Sequence, residues 1–158
     1  LVGSEMCIRD SSKIGSLLIN DTINGVINNN IKSTKQELNK TYKTAYKLNK
    51  DNIKINWKRK PIEIYNKIRG LSPYPGARTS IIDTKNKLKK NIIIYDCDHK
   101  LINSNLKPGN IIITKNEFKI SCIDGYVKLK EIKIEGKKRM KIKSFLNGFN
   151  RNNEFTAK

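Results

Sequence analysis

Residues 54–77, KINWKRKPIEIYNKIRGLSPYPGA, decide how the rest of the chain is read. Ile53 and Ile55 alternate with Lys54, so a short strand enters at Asn56-Trp57. Pro61 suits a first helical position, where its missing N–H would have no intrahelical partner. Pro61, Ile64, Tyr65 and Ile68 then fall at i, i+3, i+4 and i+7, one face of a compact helix. Glu63 lies in its first turn and Lys67 and Arg69 in its last, the signs that the helix dipole favours. Gly70 is placed for the C-cap. Leu71-Ser72-Pro73-Tyr74-Pro75-Gly76 cannot continue the helix and makes a stiff corner.

Downstream of that corner the pattern is of short strands separated by turn residues. Arg78–Ile82 reads as a first strand, residues 85–90 as a solvated turn, and Asn91–Tyr95 as a buried strand. Lys107-Pro108-Gly109 turns the chain into Asn110–Thr114, and Lys115-Asn116 reverses it into Glu117–Ile123. There Phe118, Ile120 and Cys122 share a face. Asp124-Gly125 is a hairpin signal. Val127 and Leu129 share a face in the following strand, whereas further on the apolar positions are Ile132 and Ile134. That change of phase near Lys130-Glu131 predicts a β-bulge. Gly136–Arg139 forms a basic turn, and Met140–Leu146 a short helix ended by Gly148. Five or six strands with one early and one late helix fit a partly open, OB-like β-barrel over residues 52–150, mainly β in class. Residues 151–158 are expected to fray.

Upstream, apolar residues at Ile14, Leu17, Leu18, Ile23, Val26 and Ile27 predict an amphipathic helix over 13–29, ended by the Asn run that follows. A barrel offers its stripe no obvious partner, so residues 13–30 read as the last helix of a preceding, missing domain. Residues 31–51 are polar and rich in Lys, an interdomain linker that is either a solvated tether or a strap that tracks phosphates. Residues 1–12, beginning LVGSEMCIRDS, differ in style from everything that follows. They resemble a non-native, adapter-like tail and are set outside the fold reasoning.

The formal net charge is +19, with 33 basic against 14 acidic residues. Such a chain seeks phosphate-rich partners, nucleic acid before anionic membrane. Of the basic residues 27 are Lys, which together with abundant Asn and Ile points to compositional drift as one source of the charge. Three scattered cysteines, Cys7, Cys97 and Cys122, fit a reducing compartment and neither a disulfide framework nor a zinc site. No run approaches the roughly 18 apolar residues that span a bilayer, so the expected location is cytoplasmic.

Catalytic patterns are scarce. Asp96-Cys97-Asp98-His99 holds the one histidine, but on a strand Asp96 and Asp98 point away from Cys97 and His99, against a metal site, and a Cys–His pair would need a third, orienting group that nothing supports. There is no phosphate-binding glycine-rich loop. Basic clusters are better represented. Lys58-Arg59-Lys60, Arg69 and Arg78 around the corner, Lys137-Lys138-Arg139, and Lys43 and Lys47 of the linker are the candidate nucleic-acid contacts. Arg59, Arg78 and Arg139 lead, because a guanidinium grips phosphate bidentately. Trp57, Tyr65 and Phe118 read as core residues and not as base-stacking platforms. Recognition through the backbone and shape of a folded RNA follows.

INWKRKPIEIYNKIRGLSPYPGART (residues 55–79) resembles the signature that opens the C-terminal domain of methionyl-tRNA formyltransferases, and GKKRMKIKSFLNG (136–148) resembles that domain's last turn and helix. Residues 36–57 resemble the family's linker, and 13–29 the final helix of its catalytic domain. The family more often has Asp at Asn56 and an aromatic at Arg78. The resemblance implies a barrel that holds initiator methionyl-tRNA. An absent N-terminal formyl-transfer domain then moves a formyl group from the co-substrate 10-formyltetrahydrofolate to the methionyl amino group in translation initiation. The family's catalytic Asn, His and Asp belong to that domain; no position here matches them, and His99 is no substitute. The implied fragment is monomeric, has no catalytic, metal or cofactor site of its own, does not act on membranes and is inactive alone. Two rivals are the C-terminal domain of a sugar-nucleotide formyltransferase, which would not need so basic a platform, and a free-standing OB-like RNA-binding protein, which would leave the stripe of residues 13–29 exposed.

Overall fold

The fold was obtained as a computed structural model, which describes residues 4–35, 37, 46–102, 106–149 and 154–158. Helix α1 (Ser4–Ile27) is followed in chain order by α2 (Pro61–Leu71) and the strands β1 (Ala77–Asp83), β2 (Lys89–Leu101), β3 (Ile111–Ile113), β4 (Phe118–Cys122) and β5 (Gly125–Ile134). The short β6 (Met140–Lys141), helix α3 (Ile142–Asn147) and β7 (Phe155–Ala157) complete the order. One antiparallel sheet runs β3-β4-β5-β2-β1-β7, with β6 added to β5. This is the mainly β barrel expected from the strand pattern, nearly closed where a partly open one was expected, and with more strands than the five or six counted.

The entry to α2 follows from its residue types. Pro61 opens the helix, and the Lys60 N–H donates to Glu63 Oε2 at 3.3 Å, so one N-terminal donor is satisfied by the acidic first turn. Ile64 and Ile68 are buried on one face. The helix ends one residue beyond the predicted Gly70. Leu71 is buried in the core and holds the last turn, and Gly76 at φ +78° supplies the left-handed residue instead. The Gly76 N–H donates to the Leu71 carbonyl, which closes the corner. The predicted strand at Ile53–Trp57 is only a bridge between Lys54 and Arg78, flanked by hydrogen bonds from Arg78 to Ile53 and from Ile55 to Arg78. Ile53, Ile55 and Trp57 nevertheless alternate into the core.

The two longest strands, β2 and β5, carry the bulge that the phase change called for. Cys97 pairs with Leu129 and Asp96 with Glu131, so Lys130 is the additional residue on β5; Tyr95 is skipped on β2. Val127 and Leu129 on one side of the bulge and Ile132 and Ile134 on the other are all buried. In the β4–β5 hairpin Cys122 pairs with Gly125, so the two-residue loop is Ile123-Asp124, one position before the predicted turn. Met140 and Lys141, predicted as helix, pair with Ile132 and Glu131 before α3 begins. Phe145 of α3 packs against Phe118 and Phe149, and Phe149 against Phe155, a chain of aromatic contacts across the end of the barrel.

The expectation of a frayed end fails over Phe155–Ala157. The Ala157 N–H donates to the Gly109 carbonyl at 2.8 Å, while Ser80 and Lys158 exchange hydrogen bonds at 2.9 Å each. A second tie runs from Trp57 Nε1 to Thr79 Oγ1 (2.9 Å) and from that hydroxyl to the Lys158 carbonyl (3.0 Å). The terminal strand therefore bridges β1 to the turn that leads into β3. Residues 150–153 of the same expectation lie outside the described residues. At the seam Gly109 has φ +91°, and a Cβ there would meet the Ala157 carbonyl oxygen at 2.7 Å.

α1 begins at Ser4, nine residues before the predicted start at Lys13, and nothing between Ser4 and Lys13 breaks the helix. Its stripe residues Ile14, Leu17, Leu18, Ile23, Val26 and Ile27 are 50–70 % exposed. Cys97 and Cys122 are buried unpaired thiols, pushed up to about 12 chiefly by that burial. Among the described residues no helix is long and apolar enough to cross a membrane.

Gly109→Ala is expected to lower unfolding free energy by about 2 kcal/mol or more, through left-handed strain plus the clash at the seam. Urea denaturation followed by Trp57 fluorescence measures it, and a shift no larger than that of Gly70→Ala would contradict the seam's role.

Candidate nucleic-acid interface

The outer face of β1, β2 and the far half of β5 is concave and basic. Arg78 on β1 stands opposite Ile93 on β2, which stands opposite Lys133 on β5. Two strand spacings separate Arg78 from Lys133, about 10 Å at the backbone. One pleat further along, Ser80 stands opposite Asn91, and the Glu135 N–H donates to the Asn91 carbonyl. With Lys50 and Lys54 on one rim and Lys89 on another, these residues line a groove of about 560 Å³. Five of its side chains are basic and one, Glu135, is acidic. An open groove with that excess of cations concentrates anions at its floor.

Elsewhere on the barrel three lysines are matched by carboxylates. Glu117 bridges Lys119 and Lys128, each at 2.6 Å, and Lys130 pairs with Asp98 at 2.5 Å. Hydrogen bonds from those two lysines hold the Glu117 carboxyl down at about 2. Among the described residues the ion pairs take up Lys119, Lys128, Lys130 and Arg139, none of which lines the groove.

The sequence-derived contacts divide accordingly. Arg78 sits in the groove. Lys58, Arg59 and Lys60 are exposed at the entry to α2. Lys67, which donates to the Lys54 carbonyl at 2.6 Å, is held below its usual range by partial burial and then by the positive charge of Arg59. Arg59 thus lies within electrostatic reach of a lysine that touches the groove's rim. Lys137 and Lys138 are exposed in the turn after Glu135. Arg139 is engaged within the fold: its guanidinium pairs with Glu131 at 2.6 Å and lies 4.3 Å from the centre of the Tyr95 ring. Arg69 lies 5.9 Å from the Tyr65 ring, and Tyr65 meets His99 with ring centres 4.7 Å apart and the planes tilted by 39°. Lys47 is exposed before the barrel, and its carbonyl accepts from Asn52 Nδ2; Lys43 lies outside the described residues. Trp57 and Phe118 are core residues, whereas Tyr65 is only partly covered.

Lys54, Lys89 and Lys133 were not singled out as contacts from the sequence, and Lys50 was read only as one of the lysines of the basic strap over residues 31–51. For Lys133 the signal was present, because once the bulge inverts the phase of β5, Lys133 and Glu135 face outward. That they meet Arg78 depends on cross-strand register, which no local pattern reveals. Cys97 is buried while Asp96 and Asp98 face solvent, so the Asp96–His99 run is split between faces as alternation required.

Such a mainly β barrel, with its inserted helix and stiff corner, defines the class of small domains built around one nearly closed sheet. Within that class the chain belongs to the family described as formyl transferase, C-terminal domain, which matches residues 47–150. It is similar to the methionyl-tRNA formyltransferase of Flavobacterium johnsoniae, with 42% identity over 137 residues that cover 85% of this chain and 42% of that protein. The methionyl-tRNA formyltransferase of Flavobacterium psychrophilum is 33% identical over 158 residues, 94% of this chain and 49% of that protein. That of Malacoplasma penetrans is 43% identical over 105 residues, 66% of this chain and 31% of that protein. The chain thus spans less than half the length of these relatives.

Arg78→Ala and Lys133→Ala are each expected to weaken binding of a folded RNA about fivefold and to flatten its salt dependence by about one unit of log–log slope. Arg139→Ala should change it by less than twofold, because that side chain is already paired; fluorescence anisotropy over a salt series distinguishes them. A pH prediction concerns Glu117. Its folded-state value lies below the ordinary 4.5, so its pairing stabilises the fold above that pH and is lost as pH falls toward about 2. Glu117→Gln should therefore make acid unfolding, followed by circular dichroism, less steep over that window.

Proposed function

We propose that the chain is the C-terminal part of a methionyl-tRNA formyltransferase and that its barrel holds initiator methionyl-tRNA by the phosphate backbone. The observation that carries this reading is the basic groove on β1, β2 and β5, on a domain of this family. Arg78 and Lys133 bind phosphates from opposite walls, Lys54 and Lys89 extend the track, and Arg59 with Lys58 and Lys60 continues it toward α2. Lys137 and Lys138 prolong it past Glu135, and Lys43 and Lys47 of the linker strap follow the same RNA. Arg139 and Arg69 serve the fold first.

The barrel's contribution is positional. A tRNA gripped along its backbone presents its aminoacyl end in a restricted volume, which converts the encounter with the formyl donor into a nearly intramolecular step. The transfer itself, from 10-formyltetrahydrofolate to the methionyl amino group in translation initiation, belongs to a formyl-transfer domain outside this sequence. In this reading residues 13–30 are that domain's terminal helix, residues 31–51 the linker, and the exposed stripe of α1 the surface that the missing domain covers. The protein works in the cytoplasm as a monomer, and this chain by itself does not transfer formyl groups.

Filter binding with the purified chain tests the reading. Initiator and elongator tRNAs should bind with similar affinity, falling by about a hundredfold or more as salt rises from 50 to 200 mM if some four phosphates are engaged. Affinity that is flat across that range sinks the phosphate account. Formyl transfer by the chain alone, assayed with methionyl-tRNA and the folate donor, would sink the assignment of the chemistry to another domain.

A further inference from the structure

Glu135 is out of place in a groove that only binds phosphate. A carboxylate on that surface repels each phosphate that approaches, by about 1 kcal/mol at 4 Å even in bulk water. Yet it is held in position. Ser80 Oγ donates to Asn91 Oδ1 at 2.9 Å, and Asn91 Nδ2 donates to Glu135 Oε2 at 2.9 Å. The direction of this row is not reversible: flipping the amide would set its oxygen against an acceptor-only carboxylate. β1, β2 and the residue that follows β5 thus present a fixed series that ends in a carboxylate open to solvent, with Glu135 Oε1 unpartnered among the described residues. One pleat away, about 7 Å along the strands, lies the Arg78–Lys133 row.

Phosphates are acceptors only and cannot satisfy Glu135. A ribose 2′-hydroxyl can, because it donates to the carboxylate and can accept from the second N–H of Asn91. A ribose–phosphate chain carries both groups within one repeat, whereas a deoxyribose chain brings phosphate and no donor. We infer that the Ser80–Asn91–Glu135 row is a ribose 2′-hydroxyl reader that makes this groove select RNA over DNA and over other polyanions. The inference rests on the phosphate-groove reading above and specifies the sugar chemistry that the same groove demands.

The test uses the whole chain and three duplexes of one sequence at one salt concentration: RNA, 2′-fluoro RNA, which keeps the A-form shape but has no hydroxyl donor, and DNA. RNA should bind about tenfold more tightly than 2′-fluoro RNA. Glu135→Ala and Asn91→Ala should bring the RNA to 2′-fluoro RNA ratio within about twofold of unity, while thermal melts confirm that the barrel is retained. Arg78→Ala should weaken all three duplexes alike and leave the ratio unchanged. Equal affinity of the native chain for RNA and 2′-fluoro RNA overturns the inference alone, as does a ratio that survives both substitutions. Failure to bind any of the duplexes overturns the phosphate reading and the hydroxyl reader with it.

Discussion

A strand that wraps a small barrel has to keep its apolar residues inside while its direction bends, and strict alternation does not allow both over ten residues. The bulge at Lys130 is where β5 resolves this. It lets Val127 and Leu129 face the core before the bend and Ile132 and Ile134 after it. A one-residue slip in a strand moves every later side chain to the other face. Without the bulge, Ile132 and Ile134 would lie in water and Lys133 would be driven into the interior. The groove depends on the same residue, because only the shifted phase puts Lys133 and Glu135 on the face that Arg78 occupies.

The distribution of charge carries the functional argument better than its sum. A net charge of +19 is shared between lysines already matched by carboxylates and lysines that are not. Lys119, Lys128 and Lys130 answer Glu117 and Asp98. Among the described residues the one acidic side chain lining the β1–β2–β5 groove is Glu135, which Asn91 engages.

What could be read from the chain followed the range over which each signal acts. The α2 face, the corner and the bulge are encoded within about ten residues of themselves, and all three are present. Gly70 misled because the end of a helix depends on whether the next side chain has a core to enter, and Leu71 has one. Phe155–Ala157 was invisible because three residues carry no periodicity and their partner, Ile81–Asp83, lies more than seventy positions upstream. The site divided in the same way. Arg78 was found beside a recognisable corner, whereas Lys54, Lys89 and Lys133 become neighbours of it only through strand register. Arg139 looked equivalent to Arg78 until Glu131 and Tyr95 were seen to occupy it.

The seam between Ala157 and Gly109 has a consequence for synthesis. Among the described barrel elements β7 comes last in chain order, and it is what joins the Ile81–Asp83 edge of β1 to the turn at Gly109. Until it emerges, the nascent barrel is an open sheet with two exposed hydrogen-bonding edges, the state in which sheets pair with the wrong chain. Every growing copy on a polysome passes through that interval. Lysines on a sheet edge oppose such mispairing, because like charges keep two edges apart.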